Sequence, residues 1–182
     1  MYTIDKNGWF EHARKTPSEN FNARPEGEEI DLLLIHNISL PPGQFGTGCV
    51  PQFFCNTLDC SQDPALADIQ ELKVSAHLFI DREGECFQFV SLLDRAWHAG
   101  VSQFCGRDNC NDFSIGIELE GEDHRPYTER QYHALAAVTR ALRQRFPKIN
   151  LERIVGHCDV APGRKTDPGP AFNWDKLRAL LA

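Results

Sequence analysis

Two histidines stand where an apolar run gives way to an irregular loop: His36 after DLLLI and His157 after RIVG. Strand ends are rigid, and the loops that follow leave room for a ligand, so functional side chains gather there. A single histidine at such a place is accounted for as a hydrogen-bonded residue at a core edge. Two of them, each closing an apolar strand, point to a shared site. The segment GRKTDPGP, residues 163–170, adds to the pair. Pro168 biases Asp167 toward an extended conformation, and in an extended chain Lys165 and Asp167 project to one side with Thr166 opposite. A salt bridge in a surface turn would explain that pairing at little energetic gain. Two histidines and an aspartate, however, are the ligand types of a zinc that keeps one coordination position open, the catalytic arrangement. Cys158 is a rival ligand, and a fourth protein ligand would make a closed, purely structural zinc. If residues 153–158 are extended, His157 and Cys158 face opposite sides, which favours His157.

A zinc with an open position lowers the pKa of its water to about 7 and polarises a carbonyl. A hydrolase built on it needs a carboxylate to take the water proton and donors to hold the oxyanion. Ser114 to Glu120 alternates, with Ile115, Ile117 and Leu119 on one face and Ser114, Gly116, Glu118 and Glu120 on the other. Both glutamates are candidates, and alternation leaves open that they are simply a solvated pair. Lys165, beside Asp167, is the natural oxyanion partner because its ammonium is a compact point charge. Trp97-His98-Ala99-Gly100 is an aromatic–imidazole pair before a turn residue, which on its own reads as core Trp and surface His. His77, inside a strand, reads as structural, and His12, His124 and His133 lie in polar surroundings without an assigned role.

The elements that must hold these residues are those of a mixed α/β fold. Ile30 to His36 has the length of a strand, and its four successive aliphatics imply burial on both faces. Residues 76–81 and 85–91 flank a turn containing Gly84 and predict a hairpin. The strongest helix covers 129–146: Thr128 and Gln131 form a capping box, Tyr132, Leu135, Thr139, Leu142 and Phe146 make the apolar stripe, and Pro147 closes it. A short strand at 153–157 leads to His157, and Asn173 caps a final helix bearing Trp174, Leu177 and Leu180. Residues 64–72 suggest a short helix with Leu66, Ile69 and Leu72 on one side. Residues 1–28, broken by Pro17 and Pro25, read as a polar segment laid over the domain. Residues 41–63 fit no period and read as a long loop walling a cleft, one that orders over a ligand.

The 182 residues suit one domain, residues 1–182, and 41% of them are hydrophobic. Acidic residues outnumber basic ones by 26 to 19, an unsuitable balance for tracking phosphates, so no nucleic-acid partner is expected. The longest purely aliphatic stretch, Leu32 to Ile35, is far short of the roughly 20 residues that span a bilayer. The start, MYTIDKNGWF, lacks an apolar leader core, which predicts a cytoplasmic protein with no membrane partner. The seven cysteines contain no C-x-x-C pair and are expected as free thiols.

Five segments together carry a resemblance: HNISLPP (36–42), VSAH (74–77), RAWHAG (95–100), NDFSIGIELEG (111–121) and GHCDVAPGRKTDPGP (156–170). In order and type they resemble the AmpD-type N-acetylmuramyl-L-alanine amidases, zinc enzymes related in fold to peptidoglycan recognition proteins, over nearly the whole chain from about Trp9. The resemblance implies one Zn2+ ion at His36, His157 and Asp167, with the zinc at strand ends. It also decides between the glutamates, implying Glu118 as the catalytic carboxylate with Lys165 as its partner. Asn37, Trp97 and His98 would line the substrate cleft, and Lys73 would make a weaker contact to a substrate carboxylate. The implied substrate is an anhydromuropeptide, cut between the lactyl group and L-alanine by a monomeric cytoplasmic enzyme. The cysteines of the 49–60 segment match none of these motifs. A binding module of the same fold without activity is the alternative, although it would need neither Glu118 nor Lys165.

Overall fold

Apolar side chains on both faces drive the Leu32–Ile38 run into the middle of a sheet. In the computed structural model, which describes residues 2–182, this strand lies between Ser114–Glu120 and Ile154–Gly156 and pairs in parallel with both. The six-stranded sheet runs in the spatial order Arg14–Lys15, Cys86–Gln88, Leu78–Ile80, Ser114–Glu120, Leu32–Ile38, Ile154–Gly156. Leu78–Ile80 and Cys86–Gln88 form the antiparallel hairpin expected around Gly84, and the remaining neighbours are parallel. The sheet is therefore mixed, as the pattern predicts.

Alternation then sorts the two faces. Leu33, Ile35, Ile115 and Ile117 pack with Leu135, Val138 and Leu142 of the Glu129–Arg145 helix and with Leu177 and Leu181 of the Trp174–Leu181 helix. Both helices begin where their caps are. Thr128 Oγ1 accepts from the Gln131 amide while Gln131 returns a bond to the Thr128 amide. Asn173 Oδ1 accepts from the Lys176 amide at 2.9 Å. On the opposite face Leu32 and Leu34 pack with Phe113 and Val160. That face has no long helix over it. Loops cover it, and a cleft remains among them.

Three expectations change, and one open alternative closes. Residues 1–28 do more than lie on the surface: Arg14–Lys15 adds an edge strand beside Cys86–Gln88, and Phe10 is fully buried in the main core. The 41–63 segment contains an α-helix, Cys49–Phe54, that buries Val50, Phe53 and Phe54. Six residues are too few to show a period, and the helix is held by packing against Leu66, Phe79 and Phe89. Residues 64–72 form a 3-10 helix only over Pro64–Ile69; Leu66 is buried, but Leu72 is 50% exposed. The polar face of Ser114–Glu120 is not solvated, since all seven residues of the strand are buried.

The seven cysteines are unpaired. Among the described residues no helix is long and apolar enough to cross a membrane.

Candidate metal centre and active site

The site begins as a matter of strand register. His36 pairs with Glu118 and Ile35 with Gly156, so His157, His36 and Glu118 stand side by side near the carboxyl ends of three adjacent parallel strands. Neighbouring strands lie roughly 4.8 Å apart, and the crevice beyond the carboxyl ends of parallel strands is where open α/β sheets hold ligands. Asp167 arrives from the turn after the His157–Val160 helix. The Cys158 amide donates to the Asp167 carbonyl at 3.0 Å, and Tyr127 Oη donates to the Pro168 carbonyl at 2.8 Å. Gly169 lets this turn press on its neighbour: a Cβ there would fall 2.2 Å from the Asp123 Cα.

These constraints bring three ligand atoms together. His36 Nδ1 lies 3.0 Å from His157 Nδ1, and each nitrogen lies 3.1 Å from Asp167 Oδ2. A tetrahedral ion with bonds of about 2.0–2.1 Å requires ligand atoms about 3.3 Å apart, so the triangle has the right size. Its protonation also fits a cation. His157 Nε2 lies 2.9 Å from the Ala99 carbonyl, a group that can only accept. Nε2 is thus the nitrogen that donates to this carbonyl, and Nδ1 is the one turned toward the Asp167 carboxylate. Burial pushes His36 down to about 4, which favours its neutral form. Two imidazole nitrogens and a carboxylate oxygen thus converge on one point, the donor set that a divalent metal takes.

Cys158 takes no part in this group. The reason differs from the one alternation suggests. The strand ends at Gly156, and Cys158 follows His157 within a short helix, its Sγ packed near Gly156 rather than near the ligands.

Glu118 is 9% exposed, and among the described residues its Oε2 has no hydrogen-bond partner. Burial, reinforced by Asp167 and opposed by Lys165, holds its carboxyl well above the usual range. An unpartnered carboxylate that holds its proton more firmly than usual is suited to take one up and give it back. Glu120 is different. Its two oxygens accept from the Gly46 amide at 2.6 Å and the Arg82 amide at 3.1 Å, which ties loops to the sheet.

Glu118, Lys165 and Asp167 open into one cleft of about 300 Å³, walled by Leu40, Phe53 and Phe54. Lys165 and Asp167 are on the same side, as expected. Asn37, Trp97 and His98 line the same cleft, each already engaged. Asn37 Nδ2 donates to Asp123 Oδ1 at 2.9 Å, and Trp97 Nε1 donates to Asn22 Oδ1 at 2.7 Å. His98 Nδ1 lies 3.0 Å from His36 Nε2. Lys73 is not brought in. Val74 and Ser75 face the cleft, whereas Lys73 points into a neighbouring depression with Asn56, Cys60 and Glu71. His77 is buried and structural, accepting from the Gly116 amide and facing the Asp94 carbonyl, both at 3.0 Å.

Sequence reasoning passed over Asn111 and Arg164. Asn111 Oδ1 accepts from the His98 and Ala99 amides, and Arg164 donates to the carbonyls of Ala99 and Val101, so both fix the loop that orients His157. Both residues lie inside quoted motifs, but nothing in their spacing marks the contact.

The fold and the site define a class. Residues 26–170 match the family described as N-acetylmuramoyl-L-alanine amidase, and the chain belongs to that family of amide hydrolases. More particularly, it is 54% identical over 175 residues to the 1,6-anhydro-N-acetylmuramyl-L-alanine amidase AmpD of Escherichia coli strain K12, covering 96% of this chain and 95% of that protein. A crystal structure of a selenomethionine AmpD derivative superposes with a TM-score of 0.95 at 52% identity, covering 98% of this chain and 99% of the other. The E. coli amidase AmiD, solved with the substrate anhydro-N-acetylmuramic acid-L-Ala-D-γ-Glu-L-Lys, superposes with a TM-score of 0.61 at 27% identity, covering 97% of this chain and 65% of that one.

Proposed function

We propose that this chain is a zinc amidase that hydrolyses the amide between the lactyl group of 1,6-anhydro-N-acetylmuramic acid and L-alanine of the stem peptide, as part of peptidoglycan recycling in the cytoplasm. The observation that carries the reading is the convergence of His36, His157 and Asp167 at 3.0–3.1 Å, with Glu118 on the next strand facing the same cleft. The sugar and the scissile bond are those in the names of its relatives.

His36 Nδ1, His157 Nδ1 and Asp167 Oδ2 would hold the zinc. When bound, zinc brings the pKa of a water to about 7 and polarises a carbonyl. Glu118 takes the proton of the attacking water and passes it to the departing nitrogen of L-alanine. Its high pKa suits both halves of that task, because the carboxyl must accept and then release the same proton. Lys165, on the cleft wall beside Asp167, places its ammonium against the negative charge that grows on the carbonyl oxygen. Trp97, held by its indole N–H on Asn22, would pack against the sugar, and Asn37 and His98 close the wall. Lys73, in the neighbouring depression, would reach only a part of the substrate that extends beyond the cleft. Every group named comes from one chain, so a monomer suffices.

Incubating the zinc-loaded chain with an anhydromuropeptide and identifying products by mass spectrometry tests this reading. Release of anhydro-N-acetylmuramic acid and a peptide with a free L-alanine terminus is expected, abolished by chelator and restored by zinc. Retention of intact, bound substrate would instead identify a binding module.

A further inference from the structure

We propose that His98 and Ser114 are positioning residues for the metal centre, forming a relay that sets which nitrogen of His36 faces the ligand triangle. The proposal rests on the zinc reading and goes beyond it, since the motif resemblance gives His98 only a place in the cleft wall and gives Ser114 no role.

His36 Nε2 lies 3.0 Å from His98 Nδ1, and His98 Nε2 lies 3.3 Å from Ser114 Oγ. The rings of His36 and His98 stand nearly perpendicular, at 87°. For neutral His36 to offer a bare Nδ1, its proton must sit on Nε2. His98 must then accept at Nδ1, which puts its own proton on Nε2, and Ser114 Oγ is the acceptor waiting there. The direction of the whole chain follows from one requirement at the metal.

The surroundings keep His98 in this pose. Its backbone amide donates to Asn111 Oδ1 at 3.1 Å. Its ring fills the space over Gly116, where a Cβ would fall 2.4 Å from His98 Nδ1. Ser114, on the same strand face as Glu118, is fully buried, so its hydroxyl faces no competing solvent. The two metal-binding histidines are thus oriented by different devices: His157 by the Ala99 carbonyl, His36 by a side-chain relay. Partners of this kind are worth about 10- to 100-fold in metal affinity.

Zinc affinity of the full chain, measured by competition with a chromogenic chelator, tests the relay. His98→Phe keeps the ring but removes the acceptor and should weaken zinc binding by about tenfold or more. His98→Asn returns an acceptor oxygen near the Nδ1 position and should restore most of the affinity. Ser114→Ala should weaken binding by less than His98→Phe does. Wild-type affinity in His98→Phe, with any defect confined to KM, would make His98 a cleft-wall residue and overturn the relay. If His98→Phe does not fold, Ser114→Ala decides alone, because unchanged affinity there also overturns it. A wild-type chain that binds no zinc would overturn the metal reading itself, a separate outcome.

Discussion

His36 and Glu118 are register partners on adjacent parallel strands, so backbone hydrogen bonds hold the imidazole proposed to bind metal beside a buried carboxylate. Because the side-chain period of a strand is two, a slip of one residue would send either group to the helix-covered face. The apolar partners Leu33–Ile115 and Ile35–Ile117 on that face forbid the slip. The same packing that stabilises the sheet therefore sets the distance between His36 and Glu118.

Lys165 is exposed and acts, in this reading, only on charge that develops during reaction. Lys165→Ala should lower kcat by about 100- to 1,000-fold. Zinc content and melting temperature should stay close to wild type, because surface changes of this kind cost little stability. Steady-state kinetics alongside metal analysis checks both halves, and near-normal turnover would remove Lys165 from the chemistry.

Gly169 has φ +77° and touches the Asp123 backbone, so a methyl group there meets both a strained conformation and a collision. Gly169→Ala should cost more than the about 1–3 kcal/mol of backbone strain alone. A fall in melting temperature of several degrees is expected, with weaker zinc binding because Asp167 is two residues away. Gly163→Ala is the control: φ is +75°, but nothing lies within 4 Å of its added carbon, so its loss should be smaller. Equal losses would mean that the contact with Asp123 does not position the turn.

Burial pushes His77 down to about 3, whereas an unfolded imidazole titrates at about 6.5. Between those values the unfolded chain binds a proton that the folded chain refuses. His77 therefore takes stability away as pH falls from 6.5 toward 3 and has no effect above that window. Urea midpoints of the metal-free protein between pH 7.5 and 5.5 should fall more steeply for wild type than for His77→Asn. Parallel curves would show that His77 does not couple folding to pH.

The stretch 41–73 divides into a pinned part and a looser one. The Gly46 amide donates to buried Glu120, and Phe45 lies between the guanidiniums of Arg82 and Arg125 at 4.8 and 4.9 Å. From Asn56 to Lys73 most residues are exposed, and Leu66 is the buried anchor. Hydrogen exchange should find Gly46 protected and residues 67–73 fast in the free chain, and Phe45→Ala should speed exchange at Gly46. Uniformly fast exchange across 41–63 would restore the picture of one mobile wall.

Much of this was legible in sequence for identifiable reasons. Leu32–Leu33–Leu34–Ile35 can only be a central strand in a chain this size, and His36 is the residue at which that run stops. Thr128 and Gln131 mark the long helix by a local bond pattern. What stayed hidden depends on residues far apart in the chain. Alternation puts Glu118 and Glu120 on one face and cannot rank them. They differ because Gly46 and Arg82 reach the second and leave the first unpartnered. Lys73 follows motif order but leaves the cleft because the chain turns Val74 and Ser75 inward instead. The contact of His98 with His36 joins a strand end to a loop and has no signature in spacing.

Glu118→Gln tests the central claim most directly, because it changes one atom at the rung beside His36 and leaves the ligand triangle whole. Zinc stoichiometry and turnover of an anhydromuropeptide should be measured on the same preparation. One zinc per chain with turnover reduced by about 100- to 10,000-fold is the expected result. Full turnover in the zinc-loaded variant, or in a wild-type chain stripped of zinc, would contradict the assignment of Glu118 and the metal to this chemistry.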